Sequence, residues 1–274
     1  MLSAYKYFSS PVEHLTTKAE NKFFAGIRLP NGTFKTTASG RMTDLDAVTV
    51  QLACERGWRS PALLDVGVSS GVTTVDLLET MIANGLKPKV TATDLSVGGA
   101  IFEIAPGIRV LEDTSGDLLQ SEFFGFGVRA WNRRLDFITG YFALSKLGRI
   151  LAKRLPRTHL MDVKLSSRLR MASIKNALDF FENDLTEIDH NFANRFDIVR
   201  TANVLNRSYF DVSKIRMMVA NLKTYVRKPG GLLIINRTHQ DGTNHGTFFE
   251  LCAHGVRVLR RLGGGSEIES LVCS

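Results

Sequence analysis

Hydrophobic positions along the 274-residue chain fall into two kinds of run. Short continuous apolar stretches bounded by Gly, Pro, Asn or Asp predict buried strands, and apolar positions three or four apart predict helices packed by one face. Ala62-Leu-Leu-Asp-Val66, Lys89-Val-Thr-Ala-Thr-Asp94, Ala177-Leu-Asp-Phe-Phe181, Phe196-Asp-Ile-Val-Arg-Thr-Ala202 and Leu232-Leu-Ile-Ile-Asn236 are of the first kind. Of the second are Leu45, Val48, Leu52 and Ala53, ending at Gly57; Val72 through Leu77, Leu78, Met81 and Ile82; and Ile215, Met218, Val219, Leu222 and Val226. Thr43 or Asp44 is the expected N-cap of the first helix, with Asp46 completing a weak capping box to Thr43. Strands alternating with helices predict a doubly wound, Rossmann-like α/β sheet of seven mostly parallel strands. Thr247–Leu251 and Val256–Leu259, followed by Gly263-Gly-Gly265, are expected to close one edge as an antiparallel pair.

Two segments depart from the alternation. Residues 1–42 are expected to cap the ligand site, with a helix over Val12–Phe24 and a turn at Leu29-Pro-Asn-Gly-Thr33. Residues 43–274 then form the main domain, carrying an insertion at about 97–175. In the insertion, Ala100–Ile104 and Ile108–Leu111 flank Ala105-Pro-Gly107 as a hairpin. Helical spacing of Leu135, Ile138, Phe142, Leu147, Ile150, Leu151 and Leu155 predicts a basic amphipathic helix within Phe123–Leu155.

Charge sharpens this division. The chain carries a net +8, yet the stretch from Phe123 to Leu178 alone holds twelve bases, Lys175 the last of them, against two acids. Such a helix serves either as a lid with a solvated basic face or as a foothold on an anionic membrane, with Trp131 and Phe123, Phe124 and Phe126 as interfacial anchors. An apolar content of 44% supports a substantial core. Cys54, Cys252 and Cys273 are far apart, so neither a metal site nor a disulfide framework is expected, and a reducing, cytoplasmic setting is the simpler one. Neither a leader nor a membrane-spanning stretch is expected.

Candidate chemistry gathers around Asp65-Val-Gly67-Val-Ser69-Ser-Gly71, where a strand breaks into small residues before a helix. Missing side chains there let backbone N–H groups approach a ligand. Asp94 ends the next strand, where an acid can accept both hydroxyls of a ribose, as an adenosine-containing cofactor requires. A dehydrogenase would usually keep Gly-x-Gly-x-x-Gly, and here Val72 stands at the third glycine position.

Together with Asp184-Leu185, Phe196-Asp-Ile-Val and Lys228-Pro-Gly-Gly-Leu-Leu-Ile-Ile, in this order, these motifs resemble the class I S-adenosylmethionine-dependent methyltransferases. The resemblance covers roughly residues 44–100 and 175–236. From Phe180 to Phe210 the chain looks most like the chemotaxis receptor methyltransferases, although the insertion is foreign to them. Ser69 replaces the family's middle glycine and is small enough for the same turn.

The resemblance implies an enzyme using S-adenosyl-L-methionine. Asp65, Gly67, Ser69 and Gly71 would hold its amino-acid end, Asp94 the ribose, and Leu95 the adenine face. Asp184, with Leu185, would meet the adenine amino group, and the Asn203 backbone would lie near the sulfonium. The implied acceptor is a small molecule, a sugar or a lipid-linked compound. The alternatives are a non-catalytic nucleotide-binding regulator and a protein-carboxylate or RNA methyltransferase. Against nucleic acid stand the lack of an Asn-Pro-Pro-Tyr motif and of a recognisable RNA-binding module. Should the acceptor need a base, His239 and His245 beyond the fifth strand are the candidates, with Asn206 and Tyr209 as further acceptor contacts.

Overall fold

The computed structural model describes residues 1–35, 37–174 and 178–274. In chain order it contains α1 (Ala4–Ser9), α2 (Thr17–Phe24), α3 (Thr43–Glu55), β1 (Ala62–Val66), α4 (Val72–Ala83) and β2 (Lys89–Asp94). Next come β3 (Gly98–Ala105), β4 (Ile108–Asp113), β5 (Leu118–Phe123), β6 (Phe126–Arg129), α5 (Tyr141–Arg154), β7 (Thr158–Lys164) and α6 (Arg168–Ser173). The chain ends with β8 (Asp179–Glu182), β9 (Ile198–Ala202), α7 (Val212–Tyr225), β10 (Leu232–Thr238), β11 (Asn244–Leu251), β12 (Val256–Leu262) and α8 (Glu269–Cys273). Two compact units result, Met1–Ala38 with Ser96–Lys175, and Ser39–Leu95 with Asn176–Ser274.

The second unit is a Rossmann-like α/β fold. Its seven-stranded sheet has the order β12-β11-β10-β9-β1-β2-β8. The five strands from β8 to β10 are parallel, and β11 and β12 add an antiparallel meander at one edge, as the terminal pattern predicted. Leu64, Val66, Val199, Leu233 and Ile235 point to one face and pack with Ile215, Val219 and Leu222 of α7 and Leu271 of α8. Alternate positions face the other way, where Asp65 and Arg200 meet α3 and α4. Burial on both faces explains why these strands read as nearly continuous apolar runs. Ala177, expected in the third strand, lies outside the described residues; β8 covers Asp179–Glu182.

Some local expectations fail here. The N-cap of α3 is Met42, without a side-chain bond, and the capping box is absent. Asp46 is instead drawn to Arg200, 2.8 Å away. A buried guanidinium left short of acceptors costs more than the one exposed N–H bond that a cap would make.

The first unit is built differently. Its antiparallel sheet has the order β6-β5-β4-β3-β7. The expected hairpin is β3 and β4, but the stretch expected as one helix from Phe123 contains β6 and a short 3-10 turn at Arg134–Phe137 before α5 begins. Gly125, at φ +83°, sits in the tight turn between β5 and β6, so the chain pairs back on itself instead of coiling. The expected helix over Val12–Phe24 is likewise split, a 3-10 turn at Val12–His14 preceding α2, whose N–H groups are capped by Thr16. Tyr7, Phe23 and Phe24 pack with Ile101, Leu111, Leu119 and Val163, so the N-terminal segment supplies this sheet's core. Tyr7 stacks on Phe23 at 4.3 Å and donates to buried Glu20 at 2.5 Å; Glu20 also accepts from Ser167. Burial and Glu20 push the Tyr7 phenol far above its ordinary range.

Candidate functional site

Strand order reverses at β1, whose neighbours are β2 on one side and β9 on the other. Such a switch point opens a crevice beyond the carboxyl ends of the strands, where ligands of doubly wound sheets bind. The Asp65–Gly71 turn leaves β1 there, Asp94 ends β2, and Asn203 follows β9. Three segments distant in sequence are thus brought to one sheet edge.

The turn is held by backbone bonds. Gly67 and Val68 N–H donate to Thr93 O, at 2.7 and 3.1 Å, and Gly71 N–H donates to Val68 O at 2.8 Å. Gly67, Ser69 and Gly71 have φ of +75°, +57° and +79°, so the serine adopts the left-handed conformation that favours glycine. A Cβ on Gly67 would run into Val204 Cγ2. Ser69 N–H donates to Asp94 Oδ2 at 2.6 Å, joining the turn directly to the acid of β2. A carboxylate offers about four acceptor sites, so this bond and ribose hydroxyls are compatible. Leu95 is 43% exposed beside Asp94, an apolar surface suited to a flat base. No side chain caps α4, whose first-turn N–H groups suit a carboxylate.

Other candidates have structural duties as well. Asp65 is buried, its carboxylate accepting from Arg200 Nε at 2.9 Å and Nη2 at 2.5 Å and from Thr74 Oγ1 at 2.7 Å. It therefore braces the turn from below. Asp184 is exposed and accepts from Thr186 N and Oγ1, an Asx-turn, while Leu185 is buried in the core. The Asn203 amide is spent on Asn236 O at 2.8 Å, and its side chain accepts from Thr238 N, which leaves the carbonyl as the group it can offer a ligand. Asn206 is buried and accepts from Ser208 N; Tyr209 is exposed.

His239 and His245 meet across the β10–β11 connection, their rings 4.3 Å apart. Thr238 and Asn244 bond each other between them. This hairpin starts at the same carboxyl edge as Asn203.

Arg200 is the principal residue that pattern reasoning missed. It stands opposite Asp65 in the β1–β9 register and is 1% exposed, with bonds to Asp65, Asp46 and Thr73 O. One guanidinium thus faces two carboxylates. Burial pushes the Asp46 carboxyl up to about 7; Arg200 opposes that shift, and Asp65, Asp76 and Asp44 add to it. The available signal was a lone arginine inside an apolar strand, which demands a buried acid.

No protein-family model matches the chain, and no curated protein matches it. Among solved structures it is similar to the N-methyltransferase NodS from Bradyrhizobium japonicum WM9 in complex with S-adenosyl-L-homocysteine, at 14% identity and a TM-score of 0.35, over 74% of this chain and 65% of that one. The DszA carbon methyltransferase gives 14% and 0.37, over 74% and 38%. The cyclase SpnF gives 14% and 0.34, over 75% and 50%. The chain therefore spans less than two thirds of each of these proteins. Likeness at this distance decides neither activity nor substrate.

Proposed function

We propose that the chain is a class I S-adenosyl-L-methionine-dependent methyltransferase acting on a small-molecule, sugar or lipid-linked acceptor. The observation that carries this reading is the bond between Ser69 N–H and Asp94 at the switch point, which puts a small-residue turn and a ribose-type acid in one site. The cofactor would supply an electrophilic methyl on a sulfonium. Around it, the Gly67–Gly71 turn and the start of α4 would take the amino-acid end, Asp94 the ribose, Leu95 and the Asp184 loop the adenine, and the Asn203 carbonyl the positive centre.

Positive charge disappears as a sulfonium methyl moves, so alignment and exclusion of water carry most of the rate. Correct placement of the partners is worth roughly 7–11 kcal/mol. His239 and His245 are our candidates for removing the acceptor's proton.

The test is calorimetric titration with S-adenosyl-L-methionine and S-adenosyl-L-homocysteine. Wild type should bind both, and Asp94→Ala should lose both; a folded wild type that binds neither refutes the reading. Methylated product would then separate an enzyme from a non-catalytic binder.

We further infer that the inserted unit contacts anionic membrane from a cytoplasmic location. α5 buries its small residues Ser145 and Gly148, so Leu147 and Ile150 are left exposed. Ile138, at 84% exposure, and Phe137 extend this apolar surface, with Lys146, Lys153 and Arg154 beside it. No helix among the described residues is long and apolar enough to cross a membrane. Failure to sediment with anionic liposomes at low salt would rule the contact out.

A further inference from the structure

The inserted unit contains a cavity of about 610 Å³ that the proposed chemistry does not use. It lies between the 28–30 segment, the β4–β5 turn, and α5 with its exit. This volume is typical of small-molecule sites and exceeds what a bare anion fills.

Its lining has two characters. Leu29, Pro30, Leu118 and Trp131 are its larger apolar members. Trp131 is fixed there: its indole N–H donates to Gly26 O at 2.8 Å, the Arg129 guanidinium lies 4.6 Å from its ring centroid, and Phe34 meets it edge-on at 4.9 Å. The same lining carries charge from Arg28, Arg149, Lys153 and Arg157.

Arg157 is ion-paired with Glu112, which removes both from the balance. Arg28 donates to Gly32 O at 3.1 Å, and Arg149 donates to Ala130 O. Neutral carbonyls orient a guanidinium without cancelling its charge. Lys153 has no hydrogen-bond or ion-pair partner among the described residues, and it lies one helical turn beyond Arg149 on the same face of α5. Against these three cations the lining offers Asp117.

An excess of two positive charges in one cavity with apolar side chains matches a dianion with an organic body better than a monocarboxylate. We propose that this cavity binds a phosphate monoester carrying an apolar or aromatic group. Both a free ester and a lipid phosphate headgroup have that chemistry. Because the N-terminal segment and the insertion, which form the first unit, supply every lining residue, the proposal stands independently of the methyltransferase reading.

The test is calorimetric titration of the full chain with phenyl phosphate, and with inorganic phosphate and benzoate for comparison. Phenyl phosphate should bind more tightly than either. Lys153→Glu should weaken it roughly tenfold, the value of one charge-assisted contact. Lys18→Glu carries the same charge change at an exposed position of α2 outside the lining and should leave affinity unchanged. If Lys153→Glu does not fold, Lys153→Gln replaces it, with a smaller loss expected. Displacement of phenyl phosphate by phosphatidic acid in phosphatidylcholine vesicles would assign the headgroup source, and lack of displacement would assign the free ester. Phenyl phosphate failing to bind the folded wild type, or binding the folded Lys153 variant equally well, overturns the proposal.

Discussion

β10 and β7 are both seven-residue strands, yet they solve different problems. The first five residues of β10 are buried in the interior of the mostly parallel sheet, between parallel β9 and antiparallel β11. In β7, an edge strand of the antiparallel sheet, Val163 alone is buried. The central strand announces itself by an apolar run; the edge strand Thr158-His-Leu-Met-Asp-Val-Lys164 carries almost no pattern. A strand covered on both faces must be apolar throughout, whereas an exposed edge needs only its backbone bonds. The same contrast holds for their polar centres. The sheet of the Rossmann-like unit encloses one arginine with two carboxylates, whereas in the inserted unit α1, α2 and the start of α6 are tied together through Tyr7, Glu20 and Ser167.

The comparison is broken most severely at Arg200. Arg200→Met strands Asp65 and Asp46 in the interior and should cost about 3–5 kcal/mol. Calorimetry should show a large fall in the melting temperature of the Rossmann-like unit. Next is Gly67→Ala, where a positive φ and the contact with Val204 combine to roughly 2–4 kcal/mol, with loss of cofactor binding. Gly148→Ala is its counterpart in the inserted unit, because a Cβ there would meet Ser121 Oγ. It should destabilise α5 by roughly 1–3 kcal/mol and leave cofactor affinity intact. A matching loss of affinity would show that the two units are energetically coupled.

Asp46 sharpens the contrast through pH. Burial lifts its carboxyl from the ordinary 3.8 to about 7, so the folded state holds the extra proton between those values. Its contribution to stability is present at acid pH and lost as pH rises toward 7. Asp46→Asn mimics the protonated form. Denaturant melts at pH 5 and pH 8 should show the wild type losing stability relative to this variant at the higher pH; parallel behaviour would refute the assignment. The smallest effect on stability is expected at Ile138. Ile138→Glu should change it by less than about 0.5 kcal/mol, while lowering sedimentation with anionic liposomes.

Much of the Rossmann-like unit was legible. β1, α4, β2 and β10 begin where the patterns place them, since apolar burial and turn residues act over a few positions. The Asp94 position was legible too, because an acid ending a buried strand stands out. In the inserted unit the charge excess and the first hairpin were visible, but β5, β6 and β7 were not. The helical spacing begins only at Leu135; upstream of it, the turn at Gly125 pairs Phe126–Arg129 back onto β5.

By itself, then, the sequence determined the strand and helix alternation, the small-residue turn and the concentration of positive charge, all of which depend on neighbours along the chain. Tertiary structure alone decided the rest. It paired Arg200 with acids 135 and 154 positions away, bonded Ser69 to Asp94, brought His239 to His245, and turned the apolar side of α5 outward. Each of these is set by sheet register or by the fit of one surface on another, and neither is encoded in the spacing of residues along a single segment.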